Sequence, residues 1–366
     1  MISSFAPSVV KFRNELIKDI IKKGYEVHVI LPEKADIDFF PKVEALGAKL
    51  HLVKMQRTGM NPFADLRTVV HLLEILKSIK PDIVFTYTIK AVIYGNIAAK
   101  IAGIKSLHSL ISGLGYAFIG KSLKNKIVNL ISKSLYRFAL SSAQTVFFQN
   151  PDDMNLFIEQ KIINDKSKCT LVNGSGVDIK YFSKAPLPSE TSFVLIARLL
   201  RDKGIYEYIG AVRKVKQKYP DTVFKLVGWI DSNPAAIAHK DLEAWQKENL
   251  IQYFGRLDDV REVIKDSSVF VLPSYREGTP RTVLESMSMG RAIITTDAPG
   301  CRETVIDGCN GYLVPVHDSE ILAQRMLDLI ENPEKLAKMA ASSRKIAEDK
   351  YEVSKINQVM LDKILS

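Results

Sequence analysis

The stretch Val269-Phe270-Val271-Leu272-Pro273-Ser274-Tyr275-Arg276-Glu277-Gly278-Thr279-Pro280-Arg281-Thr282-Val283-Leu284-Glu285 reads as strand, loop and helix in immediate succession. Val269 to Leu272 is apolar, with β-branched and aromatic members, and Pro273 stops it, as expected of a strand buried in a parallel sheet. Ser274 to Gly278 is then the loop at its carboxyl end, where open α/β sheets bind ligands. Gly278 lets the backbone approach a ligand closely, Thr279 suits a helix N-cap, and Pro280 suits the first helical position, where a missing N–H costs nothing. The amides of that first turn would face an anion. Leu284, Met287 and Met289 continue an apolar helix that ends at Gly290.

Glu277 and Glu285 stand eight residues apart. A helix would spread them by roughly 12 Å, and Glu277 precedes the helix, so the pair does not flank one scissile bond at about 5–9 Å. They are better placed to grip different parts of one long ligand. The plain alternative is a solvated loop glutamate followed by a surface helix glutamate.

A second apolar run, Phe193 to Ala197, leads into Arg198, and Lys203-Gly204 opens the next helix. A guanidinium fork and an ammonium beside a helix start match a diphosphate. Two further strands, Phe224 to Val227 and Ile251 to Phe254, end in Gly228-Trp229 and Gly255-Arg256-Leu257 on the same predicted sheet edge. Four strand ends converging on one crevice exceed what packing requires. The pocket suits a ligand with a diphosphate in its middle and hydroxyl-rich groups at either end, which is the shape of a sugar nucleotide.

Ala197-Arg198 with Lys203-Gly204, Gly255-Arg256-Leu257-Asp258-Asp259-Val260, and Pro273 to Pro280 with Leu284-Glu285 together resemble glycosyltransferase family four. The likeness covers nearly the whole chain and is most specific between residues 193 and 314. It implies an α/β chain of GT-B fold, two facing Rossmann-like domains with an interdomain cleft, and a retaining transfer that needs no metal. It also implies Arg198 and Lys203 on the donor diphosphate, Glu285 on the ribose diol, and Glu277 on the donor sugar beside Gly278, Thr279 and Pro280. The backbone around Arg256 and Leu257 would lie beside the base. Arg198, Lys203 and Glu277 form the expected catalytic set. Asp231-Ser232-Asn233-Pro234 and Thr295 to Gly300 are similar to bacterial surface-polysaccharide enzymes that transfer N-acetylhexosamines to polyprenyl-diphosphate-linked sugars.

Members of that family often carry a histidine at the end of a first-domain strand. Leu110-Ile111-Ser112-Gly113 offers Ser112 there, with His108 four residues earlier. Ser112, Gly113, Ser4, Ser8 and Lys90 are therefore the acceptor-side candidates, although a solvated lysine is as good a reading of Lys90.

The 366 residues suffice for two domains, and the composition is that of a globular chain. Residues 1–183 read as an acceptor-facing domain and 191–345 as a sugar-nucleotide domain, joined by the polar, proline-spaced stretch 184–190. By family likeness, residues 346–366 form a helix crossing back to the first domain. Only Met1-Ile2 precede the loop Ser3 to Ser8, so the first strand reads as truncated. Either the chain starts at an internal methionine, or the central strand of the first sheet is short or missing, which would open neighbouring strand edges.

Charge is unevenly spread. Residues 1–183 hold 25 Lys/Arg and 15 Asp/Glu, whereas residues 184–366 hold 26 of each, so the formal excess lies in the first half. No acid occurs between Asp82 and Asp152. Within that window Ile119 to Leu140 interleaves Lys121, Lys124, Lys126, Lys133 and Arg137 with apolar residues at helical spacing. Such a helix can lie on an anionic bilayer, or it can face its own core and solvate its basic side.

Confinement of the excess to one half, with no zinc-finger spacing and no RNA-recognition aromatic motif, argues against nucleic acid. No apolar run is long enough to span a bilayer and no signal segment follows Met1. Cys169, Cys301 and Cys309 lack a C-x-x-C spacing, which favours reduced thiols in a cytoplasmic protein, and the lipid-linked acceptor that the resemblance implies would place it at the inner face of the membrane. Asp36-Ile37-Asp38 lacks a supporting constellation for a metal, His28 lies inside a strand and reads as packed rather than catalytic, and His51, His71, His239 and His317 show no metal-site pairing.

The expected activity is thus transfer of a hexose or N-acetylhexosamine, N-acetylgalactosamine first, from a UDP-sugar to a polyprenyl-diphosphate-linked acceptor in O-antigen, capsule or related glycan assembly. A UDP-sugar epimerase or hydrolase on the same fold is the first alternative. A non-catalytic membrane-surface binding protein is the second, and it leaves the pocket after Val269 to Leu272 unexplained.

Overall fold

The computed structural model describes residues 1–34, 36–56, 59, 61–113, 123–230 and 233–366, with the side chains of 123–127 excepted. Two compact units emerge: Met1–Ser175 with Ser354–Ser366, and Gly176–Val353.

The strands of the first unit are β1 (Ile2–Ser3), β2 (His28–Pro32), β3 (Lys49–Val53), β4 (Ile83–Tyr87), β5 (Ser106–Ile111), β6 (Thr145–Phe148) and β7 (Cys169–Leu171). Its helices are α1 (Ala6–Phe12), α2 (Asn14–Lys22), α3 (Phe40–Glu44), α4 (Pro62–Ile79), α5 (Asn96–Ile101), α6 (Leu123–Leu140) and α7 (Pro151–Glu159). Among the described residues the sheet runs β3-β2-β1-β4-β5-β6-β7, all parallel. The strand that reads as truncated is short rather than missing. Ile2 pairs with both Ile30 and Thr86, so β1 fills the middle of the sheet with two residues.

Side chains alternate between two covered faces, which explains why these strands are nearly continuous apolar runs. Ile2, Ile30, Val84 and Leu107 pack beneath Leu72 and Leu76 of α4 and Ala98 of α5. Val29, Leu31, Phe85 and Tyr87 face the other way, onto Val9, Leu16 and Ile17. Ile356, Met360 and Leu361 close that second face.

The second unit holds β8 (Ser192–Ile196), β9 (Val223–Val227), β10 (Gln252–Tyr253), β11 (Val269–Leu272), β12 (Ala292–Thr296) and β13 (Gly311–Val314). Its helices are α8 (Ile205–Lys218), α9 (His239–Lys247), α10 (Arg261–Lys265), α11 (Arg281–Ser288), α12 (Ser319–Glu331) and α13 (Pro333–Ile346). The sheet order is β10-β9-β8-β11-β12-β13, again parallel throughout the described residues. Phe193, Leu195, Phe224 and Val271 are among its fully buried side chains, each contributing about 1.5–3 kcal/mol of hydrophobic stabilisation.

The chain then returns to the first unit as α14 (Val353–Ile364), where Asn357 Nδ2 donates to Asp19 Oδ2 at 2.7 Å. The return begins at Ser354 rather than at residue 346, because a π-turn over Ala347–Tyr351 still packs in the second unit. The other boundary falls at Ser175/Gly176, ahead of the proline-spaced stretch 184–190. Two arginines account for this. Buried Arg291 donates to the carbonyls of Ala185 and Pro186 at 2.6 and 2.9 Å, and Arg344 donates to those of Ile179 and Phe182 at 3.2 and 3.3 Å. A buried guanidinium requires acceptors, and carbonyls of an irregular segment supply them, so the segment is strapped to the second unit.

Each sheet reverses its order between two adjacent central strands, β1/β4 in the first unit and β8/β11 in the second. Crevices at such switch points are where doubly wound sheets take ligands.

Candidate active site

In the second unit the two loops at the switch point are built against each other. After β8, Arg198 is half-buried, Arg201–Lys203 makes a 3-10 turn, and Gly204 adopts φ 71° before α8. A Cβ at Gly204 would lie 2.1 Å from the Pro273 carbonyl oxygen, so the close approach of the β11 loop requires glycine. Tyr275 N and Ser274 Oγ both donate to the Asp202 carbonyl, at 2.9 and 3.1 Å. This brings Lys203 Nζ to 2.5 Å from Glu277 Oε1, with both side chains largely buried. From the other side, Glu277 N donates to the Pro299 carbonyl at 2.9 Å.

The helix after this loop starts one residue later than the sequence suggests. Pro280 is the cap residue, with ψ 111°, and Arg281 is the first helical residue. The Pro280 carbonyl accepts the first helical bond, from Leu284 N at 3.3 Å. The helix ends as expected, with Gly290 at φ 76° just beyond Met289. Glu285 meets Arg281 one turn earlier, Nε to Oε1 at 3.0 Å, and Thr282 Oγ1 donates to the Ile196 carbonyl at 3.2 Å, fastening α11 to the end of β8. Glu277 and Glu285 thus have different cationic partners. Neither the Lys203–Glu277 pair nor Arg281 was foreseen from the sequence.

Two other groups were also missed. Tyr275 OH donates to Glu207 Oε1 at 2.8 Å, and His317, in the left-handed region at φ 63°, sets its ring 4.0 Å from that of Tyr275. Burial, then the bond to Glu207, raises the phenol pKa of Tyr275. The one sequence signal was the position of Tyr275 inside the loop motif. At the β9 and β10 ends, Gly228 N donates to the Gly255 carbonyl at 2.8 Å, and exposed Arg256 stands 5.0 Å from the Trp229 ring. Leu257 packs partly into the core. Asp231 and Ser232 lie outside the described residues.

Cys301 lies under the loop, its Sγ 3.8 Å from the Ser274 carbonyl. Burial, with Glu277 nearby, pushes its thiol up to about 12. Below that pH the thiol stays protonated and poorly nucleophilic. Iodoacetamide at pH 8 is therefore expected to label exposed Cys309 in the native protein and Cys301 only after denaturation, as read by peptide mass spectrometry.

The first-unit candidates behave differently from one another. Ser4 is buried, donating through its amide to Thr88 Oγ1 at 3.0 Å, and Thr88 itself is strained at φ 73°. Ser8 points inward, with Oγ donating to the Phe5 carbonyl at 2.5 Å and lying 3.3 Å from Tyr87 OH. It serves α1 and β4 in this structure. Lys90 is neither solvated nor open: its Nζ lies 2.7 Å from Asp65 Oδ1, both largely buried. Exposed Ser112 and half-buried Gly113 follow β5. His108 is buried inside β5, and burial lowers its pKa to about 4. His51, which showed no metal-site pairing in the sequence, has a ring nitrogen on β3 2.8 Å from one of His28 on β2.

Of the basic residues assigned to a membrane face, Lys121 lies outside the described residues and Lys124 and Lys126 outside the described side chains. Lys133 is half-buried, and Arg137 is tied down, donating to the Lys161 carbonyl at 2.7 Å. The inward side of α6 is Tyr136, Ala139 and Leu140, whereas Leu130, Ile131 and Phe138 are exposed.

Residues 179–346 match the family model described as glycosyl transferases group 1, and residues 4–150 match the one described as glycosyl transferase 4-like. The chain belongs to the glycosyltransferases. This glycosyltransferase is 28% identical over 357 residues to the N,N'-diacetylbacillosaminyl-diphospho-undecaprenol alpha-1,3-N-acetylgalactosaminyltransferase of Campylobacter jejuni, covering 93% of this chain and 92% of that one. It is 26% identical to an Escherichia coli UDP-Gal:alpha-D-GlcNAc-diphosphoundecaprenol alpha-1,3-galactosyltransferase, over 69% of this chain and 67% of that one. The crystal structure of Anabaena Alr3699/HepE with UDP and glucose superposes with a TM-score of 0.81 at 19% identity, covering 100% of this chain and 98% of that one. The glycosyltransferase therefore has two Rossmann-like domains of the GT-B type.

Proposed function

We propose that this glycosyltransferase moves a hexose or N-acetylhexosamine, N-acetylgalactosamine first, from a UDP-sugar to a polyprenyl-diphosphate-linked sugar, with retention, during assembly of bacterial surface glycans. The observation that carries the donor reading is the largely buried Lys203–Glu277 pair at the β8/β11 switch point, on the loop after the half-buried Arg198. The names of the two relatives, both acting on undecaprenol-diphosphate sugars, support the acceptor class.

In this reading the donor diphosphate takes Arg198 and Lys203, and Glu277, released from Lys203, accepts hydroxyls of the donor sugar. The bond from the anomeric carbon to the diphosphate oxygen breaks, and that oxygen receives the proton of the acceptor hydroxyl as the new glycosidic bond forms on the same face. Charge on the departing diphosphate is stabilised by the two cations, which is the work a metal would otherwise do. Gly278, Thr279 and Pro280 line the donor, and Arg256 and Leu257 flank the base. Ser4, Lys90, Ser112 and Gly113 stand on the acceptor side.

Among the described residues no helix is long and apolar enough to cross a membrane. We place the enzyme peripherally at the inner membrane face, where its acceptor is anchored.

Glu285 accepts the ribose diol in this scheme, an interaction present in both ground and transition states. Glu285→Ala is expected to raise the donor Michaelis constant about tenfold or more with turnover little changed, since hydrogen bonds to a charged group contribute about 1.5–3 kcal/mol. Glu285→Gln should recover part of this. Unchanged UDP binding by calorimetry in Glu285→Ala would remove ribose recognition.

The function is tested by offering a panel of radiolabelled UDP-sugars with a polyprenyl-diphosphate-linked N-acetylhexosamine. A lipid-extractable labelled product from one donor is expected. UDP release with free sugar and no transfer would make the protein a hydrolase.

A further inference from the structure

The outer side of α4 carries an apolar stripe that the fold does not use. The helix packs inward through Thr68, Leu72 and Leu76. Phe63, Leu66 and Val70 follow helical spacing along another line and are 79%, 63% and 48% exposed. Exposed Arg67 lies beside them. This is no frayed end. Asn61 Oδ1 caps the helix by accepting from Phe63 N and Ala64 N at 3.1 and 3.2 Å, and Thr68 Oγ1 donates to the Lys54 carbonyl at 2.7 Å. Asp65, in the same first turn, is held by Lys90. Large apolar side chains are thus presented to water on an ordered stage, and contiguous exposure of that kind marks a contact surface.

The layer in which α4 lies extends the pattern. α4 and α5 cover the Ile2 and Leu107 side of the sheet, and α6 covers Ile111 and Phe148 on that same side. On α6, Leu130 and Phe138 are 67% and 54% exposed, and Lys100 of α5 sets its Nζ 4.6 Å from the Phe138 ring. No acidic residue occurs in the sequence from 83 to 151. A second copy meeting this face through a two-fold axis would set basic residues against basic residues. An anionic lipid surface satisfies both the apolar stripe and the charge. Exposed Glu74, one turn beyond Val70, limits the contact to the first half of α4.

We propose that the outer face of α4, through Phe63, Leu66 and Val70, seats in the interface of an anionic bilayer, with Arg67 at the headgroups. This rests on the proposed lipid-linked acceptor for its biological sense, but vesicle binding is read without donor or acceptor, so the two can fail separately.

The full chain carrying Phe63→Trp is mixed with phosphatidylglycerol-rich vesicles and with phosphatidylcholine vesicles. A blue-shifted emission beyond that of the unsubstituted chain, quenched by brominated lipid, is expected with the anionic vesicles. Phe63→Glu with Leu66→Glu should weaken sedimentation with those vesicles about a hundredfold, the order expected when two large apolar side chains are kept out. Circular dichroism and activity on a short soluble acceptor should be unchanged. Should the double variant fail to fold, Leu66→Gln and the emission of the Phe63→Trp chain still decide. Undiminished vesicle binding by a folded variant, or an unshifted emission from the Phe63→Trp chain, overturns the proposal. So does a wild-type dimer that the double variant dissociates, which would show that a second copy covers the stripe.

Discussion

Arg198→Ala and Lys203→Ala are each expected to lower turnover about a hundredfold or more while the donor Michaelis constant changes much less. Charge on the leaving diphosphate peaks in the transition state, so a cation aimed at it stabilises that state more than bound donor, and loss of one strong electrostatic donor has this magnitude. The structure adds a detail for Lys203. Its ammonium lies 2.5 Å from Glu277 in a largely buried position, so removing it also takes away the cation that Glu277 meets beside the diphosphate site. Lys203→Ala should therefore be the worse variant in turnover. Steady-state kinetics at saturating acceptor separates the terms. Near-normal turnover in both single variants would remove the diphosphate role.

Gly300→Ala is expected to destabilise the second unit by about 2 kcal/mol or more and to cut turnover at least about tenfold. Gly300 adopts φ 81°, and an added Cβ would fall 2.2 Å from the Glu277 carbonyl oxygen and 2.6 Å from that of Gly278. Both backbone conformation and contact are refused at once, and relief requires the loop bearing Glu277 to move. Gly308 provides the control. It has a similar φ of 75° with nothing within 4 Å of an added Cβ, so Gly308→Ala should lose stability from strain alone and keep activity. Thermal unfolding and kinetics on both variants check this. Equal activity in the two would mean that the Gly300 contact does not set the loop.

The strands were legible where one physical signal dominated. Val269–Leu272 is an apolar run bounded by clear breaks, and it folds over those residues. Pairings across sequence distance were not. Nothing local in Lys203 announces Glu277, and nothing in Lys90 announces Asp65, because sheet order decides which strand ends meet. Ser8 looked like a loop hydroxyl and is instead turned inward by α1, toward the Phe5 carbonyl. The stretch 184–190 has linker composition, yet Arg291, remote in sequence, holds it through carbonyls that no composition reveals. The Thr279-Pro280 start was displaced by one residue because Pro280 takes an extended ψ of 111° and its carbonyl accepts the first helical bond, from Leu284 N.

Same-face transfer from a UDP-sugar onto a lipid-diphosphate-linked sugar is recorded in the anomeric configuration of the product. UDP-α-N-acetylgalactosamine carrying 13C at the anomeric carbon, together with a short-chain polyprenyl-diphosphate sugar acceptor, should give a product whose one-bond carbon–hydrogen coupling identifies an α linkage. A β-linked product, or labelled free sugar with no transfer from any UDP-sugar, would contradict it.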